Sequence, residues 1–196
     1  EEKNMKILGY LQNATYRLTT SNVKLDTLDA FKGLQIRTME NQNHMAFWSA
    51  LGAAPTPLAW PEVYISLQNG TIDAQENAAD TCMTSNFQEV QKYLTLDNHV
   101  HNFLAVLTNE NWLNSLSADD QQLVKDCVAE MVTTQRSMEL EDNDSVVAKL
   151  QDAGMEVNEL TDEQYQAFVD AVQPMYDEYK QQWGTEIFDL ATSYNK

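Results

Sequence analysis

The sequence predicts an α/β protein with two interleaved lobes, parallel strands and one very long helix. Short apolar runs typical of buried strands alternate with helical segments, an order that favours parallel β/α architecture. One unbroken helical pattern extends from Ser117 to Gly154, whereas a mean helix has about 11–12 residues. No low-complexity linker divides the chain, so we expect both lobes to draw on several parts of it.

Strands and helices alternate through the first half of the chain. Buried strands are predicted for the segments MKILGYL, LQIRTM and TIDAQEN, from their apolar residues. A helix is predicted for NQNHMAFWSALGA, where Gly52 is placed to end it, and another for PEVYISLQNG, where Pro61 suits the first position. The segment PTPLAW between them is expected to be extended, because proline disfavours helical geometry in the residue before it.

Helices dominate the second half. The run TLDNHVHNFLAVLT is predicted to be one long extended crossing, and a short helix follows in NENWLNSL. Ser117 begins a capping motif for the long helix, with acidic residues in the first turn. A short strand is predicted in MEVNEL, and a last helix starts at Thr161 with a kink expected at Pro174.

Composition and charge restrict the partners of this protein. It is 43% hydrophobic and 21% charged, as folded proteins are, but its net charge is −18. An acidic surface repels phosphate groups, which argues against nucleic acid and disfavours anionic membranes as partners. A small anionic ligand would need a few locally placed cations to hold it against that field.

No apolar run is long enough to span a bilayer, and the segment EEKNMKILGY does not have the pattern of a signal peptide. Two possibilities stay open. The protein is either cytosolic, or a targeting segment has been removed from it.

Cysteine and histidine do not complete a metal site. Cys82 and Cys127 lack metal-ligand spacing, and a disulfide between them stays open, although Cys127 lies on an apolar helical stripe typical of a core residue. His99 and His101 form an H-x-H pair on an apparent strand, with Asp97 on the same face. Zinc enzymes use such pairs, but two hydrogen-bonded structural histidines are the alternative. We expect no metal and no cofactor.

Candidate binding residues follow three predicted strands, where ligand sites form in parallel sheets. Arg37 ends one strand, Trp60 follows the extended segment, and the triplet Gln75-Glu76-Asn77 ends a third. Simpler interpretations are available. Arg37 could be the solvated edge of a half-buried strand, and Trp60 could lie in the core instead of walling a cleft.

The order of these motifs resembles one known family. The segments FKGLQIRTMEN, ALGAAPTPLAWPEVYISLQNGTIDAQEN and FQEVQKYLTLDNHV are similar, in order and spacing, to solute-binding proteins of TRAP (tripartite ATP-independent periplasmic) transporters, of the dicarboxylate-binding DctP type. The similarity is close from about Ala14 to Leu107 and looser through the rest of the chain.

The resemblance implies a two-lobed fold like that of type II periplasmic binding proteins, with the long helix spanning both lobes. Such a protein works outside the cytoplasmic membrane without inserting into it. It captures a carboxylate-containing organic acid between its lobes, delivers the acid to the membrane permease subunits of the transporter and catalyses no reaction.

The resemblance also assigns ligand-binding residues. Arg37 would form a two-pronged ion pair with the ligand carboxylate, which a planar guanidinium can do and an ammonium cannot. Asn77 would donate to the same carboxylate, and Trp60 would wall the pocket. Further candidates, matched to positions used in some relatives, are Arg17, Glu40 and Asn41.

The resemblance further implies a division into lobes and some departures from the family. Lobe I would comprise residues 1–14 and 103–141, and lobe II, carrying Arg37, residues 15–102 and 142–196. Ala74 stands where glycine is usual, and Ala78 where proline often follows the triplet. Roughly the first third of the usual chain, including most of one lobe and the signal segment, is expected to be absent here.

Two other classes of function are compatible with the sequence. An α/β enzyme could use His99, His101 and nearby acids, and would show turnover or bound metal. A sensing module could use the same scaffold, with ligand-driven closure as its signal.

Overall fold

The structure is a computed structural model that describes residues 4–12 and 16–194, and for residues 140–144 and 194 it describes the backbone alone. The strands are, in chain order, β1 (Met5–Gln12), β2 (Leu18–Ser21), β3 (Gln35–Thr38), β4 (Ala54–Pro57), β5 (Ala74–Asn77), β6 (Tyr93–Thr95), β7 (Phe103–Asn109) and β8 (Glu156–Asn158). The α-helices are α1 (Leu28–Phe31), α2 (Gln42–Ala50), α3 (Val63–Gln68), α4 (Ala79–Thr84), α5 (Glu110–Ser115), α6 (Ala118–Asp152), α7 (Asp162–Trp183) and α8 (Glu186–Tyr194).

The chain divides into two compact units, each built from separate stretches of sequence. Unit 1 draws on residues 1–18, 77–88 and 98–154, and unit 2 on residues 19–76, 89–97 and 155–196. The lobe division expected from the sequence differs in placing residues 15–18, 77–88, 98–102 and 142–154 with lobe II. That division into lobes stays a prediction.

Unit 2 is organised by a six-stranded sheet with the order β4-β3-β5-β2-β6-β8. Strand β3 pairs in parallel with both β4 and β5, and β6 pairs in parallel with β8. Strand β2 is antiparallel to β6. The predicted α/β class with mainly parallel strands is therefore confirmed, since helices connect the parallel strands as this class requires.

An aromatic cluster forms the core on one face of this sheet. Ile36 of β3 and Ala74 of β5 are register partners, and their side chains lie under helices α2 and α7. Phe31 stacks on Trp48 of α2 with ring centroids 6.1 Å apart, and meets the edge of Phe168 of α7 at 5.1 Å. Such pairs stabilise a core by about 0.5–1.5 kcal/mol each beyond the area they bury.

Unit 1 is built around helix α6 and an antiparallel pair of strands. Strand β1 pairs with β7, with a register shift between Ile7 and Gly9, and α6 packs against β1. A Cβ atom at Gly9 would lie 2.9 Å from Cγ2 of Val132 and 3.4 Å from Cγ1 of Val128. The close approach of strand and helix thus depends on a residue without a side chain at this position.

Helix ends agree with the predicted caps. The Ser117 hydroxyl accepts from the backbone N–H of Asp120, and α6 then runs unbroken for 35 residues. Thr161 and Gln164 form a reciprocal capping box at the start of α7, which contains Pro174 in its interior. Among the residues described, none of the helices combines the length and the apolarity that crossing a membrane requires.

Four expectations from the sequence are wrong. The segment MKILGYL forms strand β1, but that strand is not buried, since Met5, Ile7 and Tyr10 are exposed. The polar segment before Lys24 contains β2, a fully buried strand that the pattern did not predict. The predicted long extended crossing is two strands, β6 and β7, with irregular chain between them, so His99 and His101 do not lie on a strand. Cys127 is exposed rather than part of a core, and no disulfide joins it to the buried Cys82.

We predict that Gly9→Ala destabilises the protein by about 1–3 kcal/mol, because the added methyl group overpacks the contact between β1 and α6. Urea unfolding followed by circular dichroism measures the change. The double variant Gly9→Ala/Val132→Ala should recover part of the loss, since it removes the methyl group that the new Cβ would meet. A single variant as stable as the parent would show that helix and strand separate at no cost.

Candidate functional site

Arg37 occupies a buried position in the middle of the parallel part of the sheet. Its strand β3 lies between β4 and β5, and its register partners are Thr56 and Gln75. The side chain is only 5% exposed. The interpretation of Arg37 as a solvated edge residue is therefore wrong, and its charge requires compensating contacts inside the protein.

The guanidinium group of Arg37 is held by the segment that follows β4. Its Nε and Nη2 atoms both donate to the carbonyl oxygen of Leu58, at 3.1 and 2.9 Å. The centre of the guanidinium lies 5.4 Å from the centroid of the Trp60 ring, within the range of a cation–π contact. The Leu58 carbonyl and the Trp60 ring carry no net charge, and together they fix the orientation of the guanidinium.

Trp60 lies at a junction where the chain changes direction. It is the first residue of a short 3₁₀ helix, Trp60–Glu62, in which Pro61 takes an N-terminal position. The indole is 41% exposed, whereas Trp48 is the tryptophan of the core. The interpretation of Trp60 as a core residue is wrong, and its exposed ring is available to form part of a binding surface.

Glu40 and Asn41 follow β3 and are exposed. Asn41 is the N-cap of α2, where its Oδ1 atom accepts from the backbone N–H groups of Asn43 and His44 at 2.9 and 3.2 Å. This residue therefore has a structural task that is independent of any ligand.

Asn77 and Arg17 are the two candidates that belong to unit 1. Asn77 is the last residue of β5, and both side chains are buried. The backbone N–H of Arg17 donates to the carbonyl of Val100 at 2.9 Å. The contacts described within unit 2 thus bring Arg37 together with Trp60, while any role of Asn77 and Arg17 toward a ligand stays a prediction.

Sequence analysis missed a row of buried polar side chains beside Arg37. Gln75 donates from Nε2 to Thr20 Oγ1 at 2.9 Å, and Thr20 donates to Gln91 Oε1 at 3.2 Å. On the other face of β2, Thr19 donates to Asp97 Oδ2 at 2.5 Å. The threonines of LTTS were the available signal, since β-branched residues favour strands even when they are polar.

The histidines do not form a metal site with their neighbours. His101 packs against Tyr16, with ring centroids 4.3 Å apart, and against Phe103 at 6.1 Å. The third histidine, His44, has Nδ1 at 4.0 Å from Oε1 of the buried Glu76. Within residues 4–12 and 16–194, the structure contains no cluster of three or more His, Cys, Asp or Glu side chains that could hold a metal ion.

Two family-like motifs meet at a hydrogen bond on the surface of unit 2. Tyr64 of the Glu-Val-Tyr motif donates from its hydroxyl to Oε2 of Glu89, at 2.7 Å, in the motif that continues to Lys92. The hydrogen bond to the carboxylate raises the pKa of Tyr64 above its ordinary value. These motif residues therefore stabilise the arrangement of α3 next to the segment before β6.

Comparisons with known proteins agree on one family. The family model described as bacterial extracellular solute-binding protein, family 7, matches residues 1–182. The 2,3-diketo-L-gulonate-binding periplasmic protein YiaO of Escherichia coli K12 is 35% identical over 172 residues, which are 88% of this chain and 52% of that protein. The chain spans about half the length of the curated relatives it matches.

Solved structures give the same result. A TRAP periplasmic solute-binding protein from Shewanella oneidensis, with bound succinate, matches with a TM-score of 0.92 and 28% identity, over 99% of this chain and 64% of that chain. Another from Chromohalobacter salexigens, with bound D-glucuronate, matches with a TM-score of 0.88 and 29% identity, over 98% of this chain and 63% of that chain.

We predict that Glu89→Ala lowers the pKa of Tyr64 toward that of an unperturbed tyrosine, because it removes the carboxylate that accepts the hydroxyl hydrogen bond. Carbon-13 NMR of the tyrosine Cζ atoms over pH 8–12 measures the pKa of Tyr64. Because the folded-state pKa is raised, the contact stabilises the protein below the ordinary tyrosine pKa and is lost as the pH rises through the raised value. Glu62→Ala, the same change at an exposed glutamate two positions before Tyr64, is the control, and an equal effect there would contradict the assignment.

Proposed function

The chain belongs to the bacterial extracellular solute-binding proteins of family 7, and from that premise we propose that it binds an organic acid by its carboxylate group. The observation that supports this most strongly is the state of Arg37. This arginine is buried at the end of a parallel strand and oriented by the Leu58 carbonyl, next to the half-exposed ring of Trp60.

The chemistry of the guanidinium favours a carboxylate as its ligand. Two parallel N–H groups match the two oxygens of a carboxylate, and hydrogen bonds between charged groups are stronger than neutral ones. The Leu58 carbonyl and the Trp60 ring, which contact this guanidinium, are both uncharged. A net charge of −18 on the whole chain makes such a preorganised cation necessary for holding an anion.

The other candidates complete the proposed site. Asn77 would donate to the same carboxylate, and Trp60 would cover one side of the ligand. Arg17 would supply a second positive charge. Glu40 and Asn41 would face the part of the ligand that differs between acids, where hydroxyl groups of a sugar acid could bond to them.

On this proposal the protein works as the solute-binding component of a TRAP transporter outside the cytoplasmic membrane. The complete protein would enclose the acid between two lobes and deliver it to the membrane permease, without catalysis. The alternative of an enzyme that uses His99 and His101 is not proposed, because His101 packs among aromatic rings.

We predict that Arg37→Lys lowers the affinity for the bound acid by about 10- to 100-fold, because lysine cannot form the two-pronged contact. Isothermal titration calorimetry with succinate and D-glucuronate measures the affinity. Arg136→Lys is the matched control: it makes the same change in a residue that donates to the Tyr10 carbonyl and is not a candidate ligand residue.

Thermal unfolding must show both variants folded. Wild-type affinity in a folded Arg37→Lys variant would contradict the proposed site. The absence of binding to any acid in the parent protein would contradict the proposed function.

A further inference from the structure

We propose that the outer edge of β1 is a strand-binding surface that helix α6 keeps closed, and that without this closure the edge pairs with β1 of a second copy of the chain. The side-chain amide of Gln135 takes the place that the backbone of a pairing strand would have. All residues concerned belong to unit 1, and the inference is independent of the proposed function.

One edge of β1 is not paired with a strand. Within the described part of the chain, β7 is the only strand that pairs with β1, in a sheet of two strands. A free edge presents a row of backbone N–H and C=O groups that can pair with another chain. In an antiparallel pair, both groups of one residue point to the same edge, and so do those of the residue two positions along. Tyr10 and Gln12 therefore present their backbone groups to the same edge.

Two side chains of α6 bond to these backbone groups. The N–H of Gln12 donates to Oε1 of Gln135 at 3.0 Å, and Nε2 of Gln135 donates to the carbonyl of Gln12 at 2.5 Å. Nη2 of Arg136 donates to the carbonyl of Tyr10 at 2.8 Å. Because these groups bond to α6, they point away from β7, to the outer edge. A side-chain amide has both an acceptor and donors, so Gln135 reproduces the two hydrogen bonds of a neighbouring strand.

The close approach of helix and strand at Gly9 brings Gln135 to this edge. The space that a Cβ atom of Gly9 would need is taken by Val128 and Val132 of α6. Gln135 follows Val132 by three positions and lies on the same face of the helix. Glutamate in its place would offer no donor to the Gln12 carbonyl, and asparagine would be shorter by one carbon. Glutamine provides both the length and the two kinds of hydrogen bond.

The composition of β1 favours a second copy as the strand that the open edge would take. Two identical strands form an antiparallel pair by a two-fold rotation. The strand, MKILGYLQ, contains no Asp or Glu, although the chain has 30 of them. Two copies of β1 therefore meet without repulsion between acidic side chains of the strands. Met5, Ile7 and Tyr10 are exposed, and their burial would stabilise the pair.

The first test replaces the Gln135 amide with a side chain of similar length that cannot make these bonds. Gln135→Met keeps the helix propensity nearly unchanged but loses both hydrogen bonds to Gln12. Size-exclusion chromatography with light scattering should show a larger dimer fraction for the variant than for the parent at equal concentration. Gln122→Met is the matched control, because Gln122 is exposed on α6 and bonds to Asp126 of the same helix. This control should behave as the parent does.

A second substitution tests whether the dimer forms through the edge of β1. Gln12→Pro removes the N–H that points outward, and proline is tolerated on an edge strand because no hydrogen bond to β7 is lost. Combined with Gln135→Met, it should abolish the added dimer. A dimer that persists in the double variant would overturn the inference. The same holds for a folded Gln135→Met variant that associates no more than the parent.

Hydrogen exchange of the unmodified chain tests the closure even if a variant does not fold. NMR at a concentration where the protein is monomeric reports whether the Gln12 amide proton is bonded. It should exchange at least about tenfold more slowly than in an unstructured peptide, and Gln135→Met should remove about a tenfold protection, the effect of one hydrogen bond. Exchange of Gln12 in the parent at the rate of an unstructured peptide would overturn the inference.

Discussion

The burial of one positive charge, that of Arg37, is the constraint around which unit 2 is arranged. A guanidinium stays protonated in proteins, so its removal from water must be compensated by contacts. The compensation described here comes from a backbone carbonyl and an aromatic ring. Both belong to the segment after β4, which lies between Pro57 and Pro61, two residues whose rings restrict the backbone.

The two faces of the sheet perform different tasks. One face carries Ile36 and Ala74 and packs against the aromatic core under α2 and α7, which stabilises the unit. The other face carries Arg37 and Gln75, and β2 continues it with Thr20. Alternation along each strand separates the two sets, so polar side chains can be ordered by hydrogen bonds without interrupting the apolar core.

The family and the α/β class could be predicted from sequence because both depend on local signals. Gly52, Pro61 and the Ser117 cap punctuate the chain regardless of its tertiary context, and α6 follows from an unbroken apolar period. Strand β2 could not be predicted, because its four residues include two threonines and a serine and its burial depends on neighbours distant in sequence. The exposure of Cys127 likewise depends on which face of α6 meets β1.

In the candidate site, too, local features could be predicted from the sequence and tertiary contacts could not. Arg37 and Trp60 could be selected from their positions after strands, but the acceptor that orients the guanidinium is a backbone carbonyl, which no side-chain motif reveals. The family resemblance gave Asn41 a role in contacting the ligand, whereas its contacts in the structure are those of a helix cap. The pairing of Arg37 with Gln75 required the register of β3 and β5, which a single sequence does not contain.

The interleaving of the two units has a consequence for biosynthesis. Unit 2 begins at residue 19 but needs β8 and α7, which lie in residues 155–196, to complete its sheet edge and to place Phe168 against Phe31. This core therefore cannot close until residues 155–196 have left the ribosome. Until then the apolar side chains of α2 and β3 lack their partners on α7, a condition that favours aggregation and contact with chaperones.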